Sequence, residues 1–403
     1  MSKTIRVVSV GPALDVQGGV SRVICMIKEH LPEHIRFRHI ATFTRYTGAA
    51  ETHSSDRGNW LVQSLIFCGA VVRITFLALC RRSVFHVHFS SRGSLLRKGL
   101  ICIILRTLRC RYAVHSHAAG TDLFHAWFPQ SGRRLVLWGI RGAGRVIVLT
   151  QFWYDHYATS LDVSPSRMLL LPNPADLPSC LPDRTHRQGV RLLFLGRIGE
   201  RKGAFDLIRA FAALPDSIRL SSHLTLAGDG DVGAAQELCA QLGCSDLVTT
   251  SSWVGVAKVH QLLAESDIFM LPSHAEGMAM SLVEAMSWGL AVVTTGVGGA
   301  GEFLEHRRNS MLVKPGDVQE ISEAISELAC DPELRLRLGL AGRETISRFG
   351  IETYVVKLSG LYEALGTTTP SSPSAGLSNF GQNNNTAPFI GSSAIDRDNH
   401  CER

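Results

Sequence analysis

Short apolar runs that end on small or polar residues recur along this chain, each followed by a stretch of helical length. In the first half they are IRVVSVG (5–11), VFHVHF (84–89), RYAVHSH (111–117) and RVIVLT (145–150). VRLLFLG (190–196), LTLAGDG (224–230), LVTTSSWVG (247–255), IFMLPS (268–273) and AVVTTG (291–296) repeat the pattern in the second half. Runs of this length read as strands, and strands separated by helices assemble into parallel sheets covered on both faces. The expected fold class is therefore α/β.

A chain of 403 residues is too long for one core and predicts two domains and a tail. The proline-rich PNPADLPSCLPD (172–183) reads as the link between them. The expected division is an N-terminal domain at 1–183, a C-terminal domain at 184–349, a last amphipathic helix at 350–366 that packs back on the N-domain, and a tail at 367–403. TTTPSSPSAGLSNFGQNNNTAP in that tail is polar and low in complexity, which predicts disorder. The 10 cysteines lack paired metal spacing and no secretory signal is read at the start, so a reducing cytoplasm is expected.

The net charge of +6 divides unevenly. Residues 1–185 carry 23 Lys and Arg against 10 Asp and Glu, or +13; residues 186–403 carry 18 against 25, or −7. No acidic residue lies between Asp56 and Asp122, a span that includes Arg73, Arg81, Arg82, Arg92, Arg97 and Lys98. A one-signed patch points to a polyanionic partner. Aliphatic rather than stacking aromatic residues lie between these cations, which argues against nucleic acid. LVQSLIFCGAVVRITFLALC (61–80) and GLICIILRTL (99–108), with arginines beside them, fit an anionic membrane surface instead. The first is long enough to span a bilayer, but Gln63 and Arg73 interrupt it within an α/β pattern. A buried or interface-lying helix is expected there.

Chemistry concentrates in HAEGMAMSLVEAM (274–286), which follows the strand IFMLP and opens a helix that Gly289 stops. Ligands of open α/β sheets bind beyond the carboxyl ends of the strands. Unpaired N–H groups near Gly277, Met278 and Ala279 would suit an anion such as a diphosphate. Glu276 and Glu284 flank that point and could hydrogen-bond sugar hydroxyls; equally, Glu276 could serve the helix dipole and Glu284 a solvated face. Glycine turns precede two other helices, QGGVSR (17–22) and GRIGERKG (196–203). Arg197 and Lys202 in the second could neutralise a diphosphate without a metal, although cations after a strand are commonly just solvated. DGD at 229–231 sits in a glycine turn and reads as loop polarity, so no metal site is expected.

Taken in order, GRIGERKGAFDLIRAF, LAGDG and SDIFMLPSHAEGMAMSLVEAMSWGLAVVTTGVGG resemble the retaining glycosyltransferases of family 4, which have the GT-B fold of two Rossmann-like domains facing a cleft. Family members carry G-R-x-x-x-x-K-G and then E-x7-E, the spacing of Glu276 and Glu284. FHVHFSSRGSLLRKG, VHSHAAGTDLF and GRVIVLTQFWYDHY resemble segments of the polysaccharide-assembly members. The resemblance covers roughly residues 5–365. Met278-Ala279 departs from the Phe-Gly or Leu-Pro of many relatives, and Ala118 stands where Gly is frequent.

The resemblance implies a hexose transfer from a UDP- or GDP-sugar, with no cofactor required, to a polyprenyl-diphosphate-linked or growing glycan in surface polysaccharide assembly. The enzyme would lie on the inner face of the cell membrane. Glu276 would face the donor sugar and Glu284 the ribose, while Arg197 and Lys202 neutralise the leaving group. Val254 and Gly255 would approach the base through their backbone, and Gly18, Gly19 and Gly196 would allow close approach of donor or acceptor. His117 would reach across the cleft to sugar or phosphates, and His115 alternates with it along the strand. Arg92, Arg97 and Lys98 would either touch a lipid diphosphate or merely coat the surface. The other readings are a UDP-sugar epimerase of the same fold and a non-catalytic membrane-associated subunit.

Overall fold

The β-branched runs form two six-stranded sheets. The computed structural model describes residues 4–16, 18–44, 56–90, 93–117, 130–184 and 189–367. Strands β1 (Ile5–Gly11), β2 (Ile35–Ala41), β3 (Val84–Phe89), β4 (Arg111–Ser116), β5 (Arg145–Val148) and β6 (Met168–Leu170) make the first, in the order β2-β1-β3-β4-β5-β6. The second uses β7 (Val190–Leu195), β8 (Ser222–Ala227), β9 (Val248–Ser251), β10 (Ile268–Leu271), β11 (Ala291–Thr294) and β12 (Met311–Leu312), in the order β12-β11-β10-β7-β8-β9. Every pairing within these sheets is parallel. The α/β fold of two facing halves is thus what the chain adopts, and both sheets lie in one compact unit, Met1–Pro370.

Alternation along each strand sorts side chains to opposite faces. Phe85, Val87 and Phe89 point one way and pack with Ile74 and Ala78 of α2 (Asp56–Leu79) and Ile101 and Leu105 of α3 (Gly93–Thr107). Val84 points the other way, into a cluster shared with Val23, Met26 and Ile27 of α1 (Gly19–His30) and with Tyr354, Leu358 and Tyr362 of the last helix, Ile351–Thr367. That helix therefore completes the core of the first half although it follows the second half in sequence. The two chain crossings are joined: Ala175 N–H donates to the Phe349 carbonyl at 2.8 Å, and Ile351 N–H to the Ala175 carbonyl at 3.0 Å. The expected disorder of the tail concerns residues outside those described, Thr367 aside.

α2 is not a core helix. Its small residues Ala70 and Ala78 and its Ile74 are buried, whereas Leu65 is 72% and Phe76 68% exposed. Trp60–Leu79 is long and apolar enough to cross a membrane by length and composition alone, and 17% of that window is buried. Of the two expectations for this segment, burial is the one the packing does not realise, because only a narrow stripe of small side chains meets the sheet.

Leu358, with none of its surface exposed, tests how firmly the last helix is docked. Leu358→Ala should destabilise the protein by about 2–5 kcal/mol, read as a lower urea midpoint; an unchanged midpoint would mean the helix is not held by this core.

Candidate active site

In each sheet the strand that comes first in sequence has neighbours on both sides whose connections run in opposite directions. β1 lies between β2 and β3, and β7 lies between β8 and β10. Such a switch point leaves a crevice at the strand carboxyl ends. A cavity of about 740 Å³ occurs there, between the two halves. Gly19 and Val20 follow β1, Ser90 follows β3, His117 follows β4, residues 197–202 follow β7, and residues 276–280 follow β10; all of them line it. Its size suits a nucleotide-sized ligand.

One wall carries three cations, Arg197, Arg201 and Lys202, beside three carboxylates, Glu200, Asp231 and Glu276. Lys202 Nζ lies 2.5 Å from Glu276 Oε1, Arg201 Nη1 lies 3.5 Å from the same oxygen, and Ser273 Oγ donates to it at 3.0 Å. Arg197 stands 3.7 Å from Asp229 and is largely exposed. Gly203 makes this wall possible: its φ is +70°, and a Cβ there would sit 2.0 Å from the Pro272 carbonyl oxygen. The glycine thereby seats the 197–202 loop directly against the end of β10. Arg201 went unnoticed in the sequence, although it stands inside the same GRIGERKG motif.

Two helix starts face the cavity. α1 begins after Gly18 and the helix Met280–Ser287 begins after Ala279, and neither has a side-chain cap. Their first N–H groups are thus free of intrahelical acceptors and carry the positive end of the helix dipole. The second helix starts at Met280 rather than at Gly277, so the donors expected near Gly277, Met278 and Ala279 shift to Met280, Ser281 and Leu282. Asn173 enforces this boundary by donating Nδ2 to the Met278 carbonyl at 2.8 Å. The starts nearly touch, since a Cβ on Gly19 would lie 3.0 Å from Met280 Cγ.

Glu284 lies on the same helix face as Met280, one turn deeper. Arg22 Nε donates to it at 3.4 Å and Arg22 Nη2 to Asp176 at 3.3 Å, so one guanidinium links α1, the interdomain segment and the second half. Burial pushes the Glu284 carboxyl up to about 7, against the pull of Arg22. His260 is held below its ordinary value by burial and by Arg22. Nothing in the local sequence pairs Arg22 with Glu284, 262 positions apart.

The structure brings Gly19, His117, Arg197, Lys202, Glu276, Gly277, Met278 and Ala279 to one cavity. Gly18, Gly196, Val254, Gly255 and Glu284 are outside its lining; Gly255 instead precedes the helix Val256–Glu265. His117 is uncharged at neutral pH, because burial lowers its pKa to about 3. It can offer hydrogen bonds but no positive charge. Lys98 must be corrected: it is 2% exposed and donates Nζ to Thr42 Oγ1, so it neither coats the surface nor reaches an acceptor from it. Burial lowers its pKa to about 7. Arg97 lies over the Phe43 ring at 5.2 Å, and neither cation lines the cavity. Arg92, Ala118 and the rest of the loop after His117 fall outside the described residues.

Because the folded pKa of Glu284 is raised, its contribution to stability is present below pH 4.5 and is lost as pH rises through about 7. Glu284→Gln removes that loss. Relative to the variant, the native protein should lose on the order of 3 kcal/mol between those limits, measured as thermal midpoints against pH; a pH-independent difference between the two proteins would refute the shift.

Residues 186–345 match the family described as glycosyl transferases group 1. The 2-deoxystreptamine N-acetyl-D-glucosaminyltransferase of Niallia circulans is 27% identical over 317 residues, which are 73% of this chain and 80% of that protein. The lipopolysaccharide core biosynthesis glycosyltransferase LpsE of Rhizobium meliloti is 32% identical over 156 residues, 38% of this chain and 44% of that protein. With the crystal structure of Anabaena Alr3699/HepE in complex with UDP-glucose the TM-score is 0.70 at 17% identity, over 89% of this chain and 100% of that one, a likeness of fold. The chain thus has the GT-B fold, and its likeness in sequence to the glycosyl transferases group 1 is carried by residues 186–345.

Proposed function

We propose that the protein is a retaining transferase of family 4 that moves a hexose from a UDP- or GDP-sugar to a lipid-linked or growing oligosaccharide in surface polysaccharide assembly. One observation carries the reading: three cations of the 197–202 loop and two uncapped helix starts converge on a single cavity at the switch points of both sheets. Breaking the bond from the anomeric carbon to the diphosphate sends the electron pair to a phosphate oxygen. Lys202, Arg201, Arg197 and the helix N–H groups stabilise that charge. The acceptor oxygen bonds to the anomeric carbon on the face the diphosphate leaves, and its proton passes to a phosphate oxygen. No protein nucleophile is required. Glu276, held by Lys202 and Ser273, orients the sugar, and neutral His117 meets it from the opposite wall. Glu284 and its partner Arg22 serve the ribose end.

A membrane location on the cytoplasmic side is part of this proposal. The exposed Leu65, Val72, Phe76 and Leu79 of α2 support it, as do the exposed Leu96 and Leu100 of α3. At the end of α2 a second cavity of about 470 Å³ gathers Arg6, Arg36, Arg38 and Arg82. Apolar side chains beside arginines that have no ion pair among the described residues suit an anionic lipid surface.

Purified protein given UDP- and GDP-sugars with a polyprenyl-diphosphate glycan should release the nucleoside diphosphate. Lys202→Ala should lower kcat by about 10²–10³-fold with the fold intact by circular dichroism; full activity in that variant would remove the charge-stabilisation argument. Interconversion of UDP-sugars without acceptor would instead identify an epimerase, and vesicle binding without nucleotide-sugar affinity a non-catalytic subunit. In flotation assays the protein should bind vesicles rich in anionic lipid and release as salt rises; equal binding to neutral vesicles would exclude the arginine contribution.

A further inference from the structure

Beneath the cavity, strands β3 and β4 put four histidines on one face of the first sheet. His86 and His88 alternate along β3, His115 lies opposite His88 in the register of β4, and His117 follows two positions on. The rings of His86 and His88 are 4.0 Å apart between centroids, and each lies 5.3 Å from that of His115. His86, His88 and His115 have no exposed surface.

Their hydrogen bonding is lopsided. His86 Nδ1 is 2.7 Å from the Tyr362 hydroxyl of the last helix, and His88 Nδ1 is 3.1 Å from His117 Nε2. With Nδ1 engaged, each ring is left with Nε2, and in both it has no hydrogen-bond partner among the described residues. Among the described residues His115 has a partner at neither nitrogen. A buried polar atom left unpaired costs about 1–3 kcal/mol, so four at one place call for an occupant. Burial also holds all three rings far below their ordinary pKa. They are therefore neutral, with lone pairs available.

We propose that His86, His88 and His115 form a metal site for zinc or another imidazole-favouring divalent ion of the first transition row. One ligand nitrogen from each of the three lies within 4.8 Å of the other two. A zinc–nitrogen bond is about 2.0–2.1 Å, so nitrogens at that outer spacing close onto a central ion by moving about 0.7 Å each. Tyr362 and His117 hold the opposite nitrogens of two ligands, the arrangement that fixes tautomer and ring orientation in histidine metal sites. Hydroxide or water completes the tetrahedron. The ion pins β3 to β4 and, through Tyr362, to the last helix, and through His88 it fixes the His117 ring in the cavity wall. It lies below the donor cavity and takes no part in neutralising a diphosphate, so the site stands whether or not the proposed transfer reaction is correct.

Tag-free full-length protein, stripped by chelator and titrated with Co²⁺ alone, should take up one equivalent. The visible d–d bands of a tetrahedral nitrogen site should appear, without thiolate charge-transfer absorption. Zn²⁺ should bleach those bands and raise the thermal midpoint. His88→Gln should abolish them with circular dichroism unchanged. Tyr362→Phe, which keeps the packing and removes one orienting contact, should weaken Co²⁺ binding by about 10–100-fold and keeps the proposal testable if the first variant fails to fold. Absence of visible bands at millimolar Co²⁺, bands carrying thiolate character, or native affinity in Tyr362→Phe would overturn the assignment; the unpaired nitrogens would then be served by buried water.

Discussion

Parallel strands leave their carboxyl ends on one edge, and everything the protein does follows from turning two such edges toward each other. Because β1 and β7 each stand at a reversal of strand order, the loops that leave them part from their neighbours instead of closing over the sheet. The resulting crevice is lined by backbone as much as by side chains. That suits an anionic ligand, since helix-terminal N–H groups are fixed in direction and need no reorganisation when charge develops. The wall contributed by the second half holds the cations; the first half contributes a neutral histidine and glycine-lined backbone.

Glu276 sits at the balance point of this arrangement. Lys202 and Arg201 both reach its Oε1, so a carboxylate that would repel a diphosphate is neutralised beforehand. The ammonium and guanidinium still have donors to spare for phosphate oxygens. Arg22 pairs with Glu284, and because it also holds Asp176 it ties the second half to the segment joining the two halves.

Much of this was legible in the sequence because it is local. Nine strand runs, the glycine turns and the paired glutamates eight positions apart are all readable from period and spacing, which reach as far as an α/β fold; the GT-B fold is what the resemblance to family 4 implied. What escaped depended on distant partners. Lys98 reads as a surface cation until Thr42 on another segment is seen beneath it. Arg22 reads as a helix opener until Glu284 is folded against it. Hydropathy alone marked α2 as apolar but could not say which side of the helix the sheet would cover. The histidines were within reach: H-x-H occurs in both VFHVHF and VHSH, and alternation in two strands places all four on one face as soon as the strands pair. Only the register, with His88 opposite His115, reveals that they meet.

The placement of Ile351–Thr367 on the first sheet has a consequence for how the protein is made. While a ribosome is still synthesising the second half, the face of β1, β3 and β4 that awaits Leu358 and Tyr362 stays open to water. The nascent first half must wait, incompletely packed and carrying its buried-histidine face uncovered, until the second half has emerged.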